Sequence, residues 1–413
     1  MSIPAFSKIQ SRIQSYRDEI IRLQTELTAI PAMGPENGGQ GEVDKAEYIK
    51  TLLMDLNPDK LEQIDAPDKR VERGIRPNLI ARFRGRSADK TVWIMAHMDV
   101  VSPGDPAMWE SDPFTVINRD GKLIGRGTED NQQAIVSAIL AVRALQEENV
   151  RPAHDIGLAI VADEEAGSVY GIQHVLGERP DLFRKDDLIL IPDAGDPDGE
   201  MIEVAEKSIL WIRISVRGKQ THGSTPGKGI NAHKAGAFLI TRMNELYTLF
   251  PDRDEIYDVP ESTFEPTRKE ANVPNINTIP GEDIFYFDCR VLPRYSLDNI
   301  KKQIRVWADG IEKEFGVTIA IEYPQDHPAP PPTPADAPVC LALQSAMKEL
   351  FNQTAKPMGI GGGTVAAYFR RAGLPAVCWS HIADVCHEPN EYCLIDNVLK
   401  DIQVFAHIFL QKQ

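Results

Sequence analysis

The chain has 413 residues, a length at which one hydrophobic core usually gives way to two domains, and a formal net charge of -16 that argues against nucleic acid and anionic membranes as partners. The five cysteines all fall in the carboxyl-terminal third and form no C-x-x-C pair, which fits reduced thiols better than a disulfide framework. With no apolar run of about eighteen residues and no signal-peptide pattern, a cytoplasmic protein is expected. Apolar residues Ile9, Ile13, Tyr16, Ile20, Leu23 and Leu27 recur at alternating intervals of four and three, so the spacing predicts one amphipathic helix over 7–28, ended by Pro31 and the Gly-rich stretch 34–41. A helix over 45–56 follows, then an alternating strand at 78–84 and a buried strand at 91–101. A turn-rich stretch, 105–127, leads to an Ala- and Ile-rich helix at 131–148. Strand 156–162 ends in Asp163-Glu164-Glu165, and strand 188–191 ends in Pro192-Asp193. That alternation, with acidic residues at strand ends, is the layout of an α/β enzyme domain.

From about Glu206 the pattern changes to strands at 209–216, 283–290 and 317–323 with helices at 231–249 and 297–314, which reads as a small α+β insert. The Pro-rich stretch 324–338 reads as a stiff return linker, followed by a helix at 339–351, a strand at 376–379 and a closing helix at 396–411. The expected organisation is a catalytic domain in two parts, 1–205 and 326–413, interrupted by a domain at 206–325.

Chemistry gathers at the strand ends. His97 and Asp99 leave the 91–101 strand one residue apart, and so on the same face, at the carboxyl end where open α/β sheets place their ligands. An imidazole there can bind a metal while the neighbouring carboxylate holds its ring in register. Asp130, Glu164, Glu165, Asp193 and His387 supply further candidates. Two imidazoles and three carboxylates can hold two divalent ions if one carboxylate bridges, leaving a glutamate free as a base. Asp130 suits the bridge because it precedes a helix, though the same position reads as an N-cap. Glu164-Glu165 also reads as a solvated loop, and His387 as a surface histidine. The other histidines, apart from His222, read as structural or surface groups.

The segments His97-Met-Asp99, Gly125-Arg-Gly-Thr-Glu-Asp130, Asp163-Glu-Glu165, His222-Gly-Ser-Thr-Pro-Gly-Lys-Gly-Ile-Asn-Ala232, Asn277-Thr-Ile-Pro-Gly281, Asp288-Cys-Arg290, Gly361-Gly-Gly-Thr364 and His387 occur in the order and spacing of one family. Over nearly its whole length the chain resembles the dinuclear zinc aminoacylases and carboxypeptidases, which include acetylornithine deacetylase, succinyl-diaminopimelate desuccinylase, carboxypeptidase G and the tripeptide aminopeptidases. The resemblance implies a zinc-exopeptidase-like, three-layer α/β catalytic domain with an inserted ferredoxin-like α+β domain serving as lid and dimerisation domain. It implies that His97 and Asp193 hold one zinc, Glu165 and His387 the other, and that Asp130 bridges them. Asp99 would orient His97, Glu164 would be the general base, and His222 would reach the partner copy's reacting carbonyl in a homodimer. Asn277, Arg290 and the Gly361, Gly362 and Gly363 loop match positions that hold substrate. Cobalt or manganese could occupy the same mixed ligands.

Two positions depart from or refine that pattern. Many members carry an Asp soon after the Gly-Gly-Gly-Thr turn, where this chain has Val365 and Ala366. The ligand at Asp193 tends to be Glu in deacylases and carboxypeptidases and Asp in aminopeptidases and dipeptidases, which inclines the reading toward a dipeptide or short peptide over an N-acyl amino acid. Arg290 favours a substrate with a free carboxylate, because its planar fork suits bidentate binding. A homologue that only binds a ligand would be expected to have lost a metal ligand or the base, and none is missing.

Overall fold

The computed structural model describes residues 3–412. The chain divides into two compact units, one comprising the chain up to Val204 with Thr333–Pro357 and the stretch from Thr364 on, the other Ala205–Pro332 with Met358–Gly363. Among the described residues no helix is long and apolar enough to cross a membrane, and all five cysteines are free.

The first unit is built on an eight-stranded sheet, in the order Lys60–Pro67, Ile75–Phe83, His154–Val161, Ser87–His97, Leu188–Ile191, Ala376–Cys378, Met201–Glu206, Lys356–Ile360. Strands buried on both faces read as near-continuous apolar runs, and Thr91–His97, His154–Val161 and Leu188–Ile191 are buried throughout, with apolar stretches at Val92–Ala96, Leu158–Val161 and Leu188–Ile191. One face packs Trp93, Met95 and Ile189 against Ile172, Val175, Phe183 and Phe369. On the other face lie helices Gln133–Glu147 and Ile395–Leu410, which makes three layers. Gly157 is required where it stands. It is paired with Trp93, and a Cβ there would lie 2.1 Å from the indole ring.

Four neighbouring strands, His154–Val161, Ser87–His97, Leu188–Ile191 and Ala376–Cys378, run parallel to one another. Their carboxyl ends therefore leave the sheet on one edge. The residues that follow those ends are His97 to Asp99, Asp163 to Glu165, Asp193, and the loop that carries His387.

The second unit contains a four-stranded antiparallel sheet in the order Thr263–Lys269, Glu282–Val291, Ser208–Arg217, Thr318–His327. With helices Ala232–Met243 and Leu297–Phe315 it follows the βαββαβ course of a ferredoxin-like fold. Alternation sends Leu210, Ile212, Ile214, Phe285, Phe287 and Cys289 into the core with those helices, and leaves Trp211, Tyr286, Asp288 and Arg290 on the opposite face.

Several elements differ from the sequence expectation. The helix over 7–28 is two helices, Ile3–Gln14 and Arg17–Thr28. The break falls where Ser15 Oγ donates to Arg12 O and Tyr16 OH donates to Glu147, yet the apolar stripe stays buried on both sides of it. The Pro-rich stretch is not all linker, because the last strand of the second unit runs to His327. Its register shifts between Glu322 and Gln325, and Pro324 sits inside that irregularity, where a missing N–H breaks no ladder bond. The second unit accordingly holds the chain to Pro332 before the first resumes at Thr333.

Candidate dinuclear metal centre

At the end of its strand, His97 is buried and its ring is fixed from one side. Nδ1 lies 3.1 Å from Asp99 O and 3.3 Å from Asp99 Oδ1, so Nδ1–H donates to Asp99 and Nε2 is turned the other way. Nε2 faces Asp130 Oδ1 at 2.9 Å and Asp193 Oδ1 at 3.3 Å. The second oxygen of Asp130 lies 3.2 Å from His387 Nε2, which is also 3.0 Å from Glu165 Oε2. One carboxylate thus stands between two imidazoles, each with a further carboxylate beside it. His387 is held at φ +64°, a left-handed conformation that costs a side-chain-bearing residue on the order of 1–3 kcal/mol and is concentrated at functional sites.

The glutamate pair is set by Asp99 and Asp163. Asp99 Oδ1 and Oδ2 accept the backbone N–H groups of Glu164 and Glu165, at 3.0 and 3.1 Å. The chain turns into that pair through Asp163, at φ +61°. Asp163 is anchored behind by Arg76, a buried guanidinium that also pairs with Glu42 and Asp68.

The charges act on one another at short range. Burial, with the Asp193 carboxylate adding to it, pushes Glu164 well above the usual carboxylate range. Glu165 is raised to about 7, first by burial and then by Asp130. Asp193 is raised by burial. Burial would raise Asp130 as well, but the bonds from His387 and His97 hold it well below the ordinary value. His387 is lifted to about 10 by its bonds to Asp130 and Glu165. For His97, burial works against protonation and is outweighed by Asp193, Asp130 and Asp99, so its pKa stands well above the ordinary value.

This donor set fits divalent cations. Four carboxylates and two imidazoles converge in a small volume, and Glu165 Oε1 is buried with no hydrogen-bond partner among the described residues, a cost that a cation would remove. Ligand atoms of His97, Asp130 and Glu165 lie within 4.8 Å of one another, and so do those of His97, Glu164 and Asp193. Geometry alone therefore admits Glu164 as a ligand beside its expected part as a base.

The sequence-predicted residues of the second unit form two smaller groups. His222 pairs with Thr278 in a short ribbon, and Gly223 N donates to Asn277 O at 2.6 Å. His222 Nδ1 accepts the Ser224 backbone N–H at 3.2 Å and lies 2.8 Å from Ser224 Oγ, which leaves Nε2 as the protonated nitrogen. Arg290 pairs with both oxygens of Asp288 and donates to Gly361 O at 3.0 Å. Three of its five N–H groups are thus engaged. Gly362 and Gly363 continue the Gly361 loop. Val365 is buried in the core cluster with Phe369, so the position after the Gly-Gly-Gly-Thr turn offers no polar group.

Sequence reasoning missed residues that work through the backbone. Asn131 accepts from His97 N and donates to Pro192 O and to Asp193 Oδ1, joining three of the segments that carry candidate ligands. Glu129 and Glu391 hold the loops that carry Asp130 and His387. Their only sequence signal is position beside a candidate ligand.

Residues 93–411 match the peptidase family M20/M25/M40. The chain is 38% identical over 409 residues to an uncharacterised metallohydrolase of Methanocaldococcus jannaschii, covering 95% of this chain and 98% of that one. It is 27% identical over 318 residues to a succinyl-diaminopimelate desuccinylase of Delftia acidovorans, covering 72% and 75% of the two chains. Among solved structures it is similar to the aminopeptidase PepT of Bacillus cereus, with a TM-score of 0.76 and 21% identity over 95% of this chain and 98% of that one. A sheet edge that collects imidazoles and carboxylates, together with these matches, places the chain in the peptidase family M20/M25/M40, as a metallohydrolase acting on amide bonds.

Proposed function

We propose that this hydrolase cleaves the amide bond of a small substrate carrying a free carboxylate, a dipeptide or short peptide, with Glu164 as general base and acid. The observation that carries the reading is the placing of Asp130 between His97 and His387, with Glu164 beside them. His97, Asp130 and Asp193 would hold one divalent ion, and Asp130, Glu165 and His387 a second, zinc suiting these ligands. Such ions acidify the attacking water and polarise the scissile carbonyl. Glu164, whose proton affinity burial has raised, takes the proton from the attacking water and returns it to the leaving amine. Asp99 keeps the His97 ring and the Glu164 backbone in place throughout.

The second unit is assigned the roles of lid and dimerisation domain, with His222 lending its Nε2–H to the carbonyl oxygen of a partner copy's substrate as negative charge develops there. Two N–H groups of Arg290, with Asn277 and the Gly361 to Gly363 loop, would receive the substrate carboxylate and backbone. Hydrolysis of an N-acyl amino acid is the second reading. It is favoured by the similarity to a desuccinylase and disfavoured by an aspartate rather than a glutamate at position 193.

A panel of dipeptides, N-acetyl amino acids and N-succinyl amino acids, assayed on the zinc-loaded protein with Glu164→Ala as blank, separates the two. The account expects kcat/KM to be highest on a dipeptide. A preference for the N-acyl substrates moves the assignment to the second reading, and turnover of none of them overturns both.

A further inference from the structure

The loops that carry Asp130 and His387 hold each other through two glutamates that point in opposite directions. Glu391, four residues after His387, is fully buried. Its Oε1 accepts the backbone N–H groups of Gly127, Glu129 and Asp130 at 3.1, 3.0 and 3.1 Å, and its Oε2 pairs with Arg126. Glu129, next to Asp130, reaches the other way. Its Oε2 accepts from Ala383 N at 2.6 Å and its Oε1 from Val385 N at 2.9 Å. Arg126 closes the figure by donating to His387 O at 3.3 Å.

Both carboxylates sit in concave arrays of N–H groups, the kind of nest that stabilises an anion. Each array contains a left-handed residue, Gly127 at φ +86° in one and Asp384 at φ +61° in the other. The two charge-assisted bonds from the residues flanking Asp384 to Glu129 hold that conformation in place. Glu391 fixes the backbone of Asp130, while Glu129 fixes the approach to His387. The exposed His387 ring has little packing of its own to position it.

Resting on the two-ion reading above, we infer that Glu129 and Glu391 form a reciprocal clasp that positions Asp130 and His387 and so sets the affinity of the ion those two share with Glu165. Because Asp130 would serve both ions, the selective half is Glu129, which bonds only to the approach to His387. His97 and Asp193 are held by Asp99 and Asn131, which take no part in the clasp. Outer partners of metal ligands typically change affinity by about 10- to 100-fold when removed.

Glu129→Gln is the informative substitution. Each oxygen of Glu129 serves a different N–H, so the amide keeps one bond and turns its NH2 toward the other N–H. The test is a zinc titration of metal-stripped full-length protein in competition with a chromogenic chelator, on wild type and on Glu129→Gln. Expected are two ions per wild-type chain and, in the variant, one of them weakened by about 10- to 100-fold with the other within about twofold. Equal affinities in the two proteins overturn the clasp while leaving the two-ion reading intact. Fewer than two ions in wild type overturn the two-ion reading and the clasp with it. Should the variant not fold, amide hydrogen exchange on metal-free wild type reads the same contact. The Ala383 and Val385 amides are expected to be protected in step with Gly127 and Asp130, and free exchange at 383 and 385 overturns the clasp.

Discussion

His387 Nε2 lies 3.2 Å from Asp130 Oδ2, the oxygen left over once His97 faces Oδ1 at 2.9 Å. The two histidines are 290 residues apart in sequence, and one short side chain brings them to a common centre. A carboxylate shared in this way is what two adjacent cations require, and the proposed chemistry depends on it.

Glu164 separates two readings of the same geometry. It lies close enough to His97 and Asp193 to be a ligand, and its raised proton affinity suits a base. Glu164→Gln is expected to lower kcat by about 10²- to 10⁴-fold while both ions stay bound, the behaviour of a lost acid and base. Kinetics and elemental analysis of the same preparation check this. Loss of an ion along with activity would make Glu164 a ligand.

A pH effect on stability follows from Lys45, which is fully buried on helix Val43–Asp55. Burial holds its amine down to about 8 from 10.5, against the charges of Asp99, Glu42 and Glu391, which favour protonation. Below about pH 8 folded and unfolded chains both carry the proton, and the folded one bears the desolvation cost; above about 10.5 neither carries it. In between, the unfolded chain binds more protons, so this residue makes stability rise with pH through that window. Urea unfolding of wild type and Lys45→Met at the two ends of the window should show the difference between them shifting in favour of wild type as pH rises. A constant difference would contradict the assignment.

Gly157→Ala tests the packing under the site. The new Cβ would meet the Trp93 ring, itself fully buried, at 2.1 Å. Overpacking of that kind costs about 1–3 kcal/mol, occasionally more, so a lowered midpoint of urea unfolding is expected. An unchanged midpoint would mean that the indole can shift freely.

Much of the fold was legible because buried strands and amphipathic helices write their burial into the sequence. The apolar runs before His97, Asp163 and Asp193 marked the parallel strands, and the acidic residues after them marked the edge where the candidate ligands gather. Edge strands were harder. Lys60–Pro67 has its apolar Leu61 and Ile64 three residues apart, and Lys356–Ile360 carries Pro357 and Gly359, so neither shows a clear period. Strand Met201–Glu206 is followed after one residue by Ser208–Arg217, and a boundary so short leaves no turn signal.

The supporting residues stayed hidden for a different reason. Asn131, Glu129, Glu391 and Arg76 act on backbone groups or carboxylates that lie tens to hundreds of residues away, and no local pattern announces such a partner. A chain whose candidate ligands can be read at strand ends thus conceals the groups that hold those candidates still.

The central claim is the bridged pair of ions, and the most direct test is metal content per chain by elemental analysis on wild type and Asp130→Ala prepared side by side. About two zinc per wild-type chain, with both reduced in the variant, is the predicted result, because Asp130 serves both positions. One ion or none in wild type after zinc loading, or two ions retained by Asp130→Ala, would contradict it.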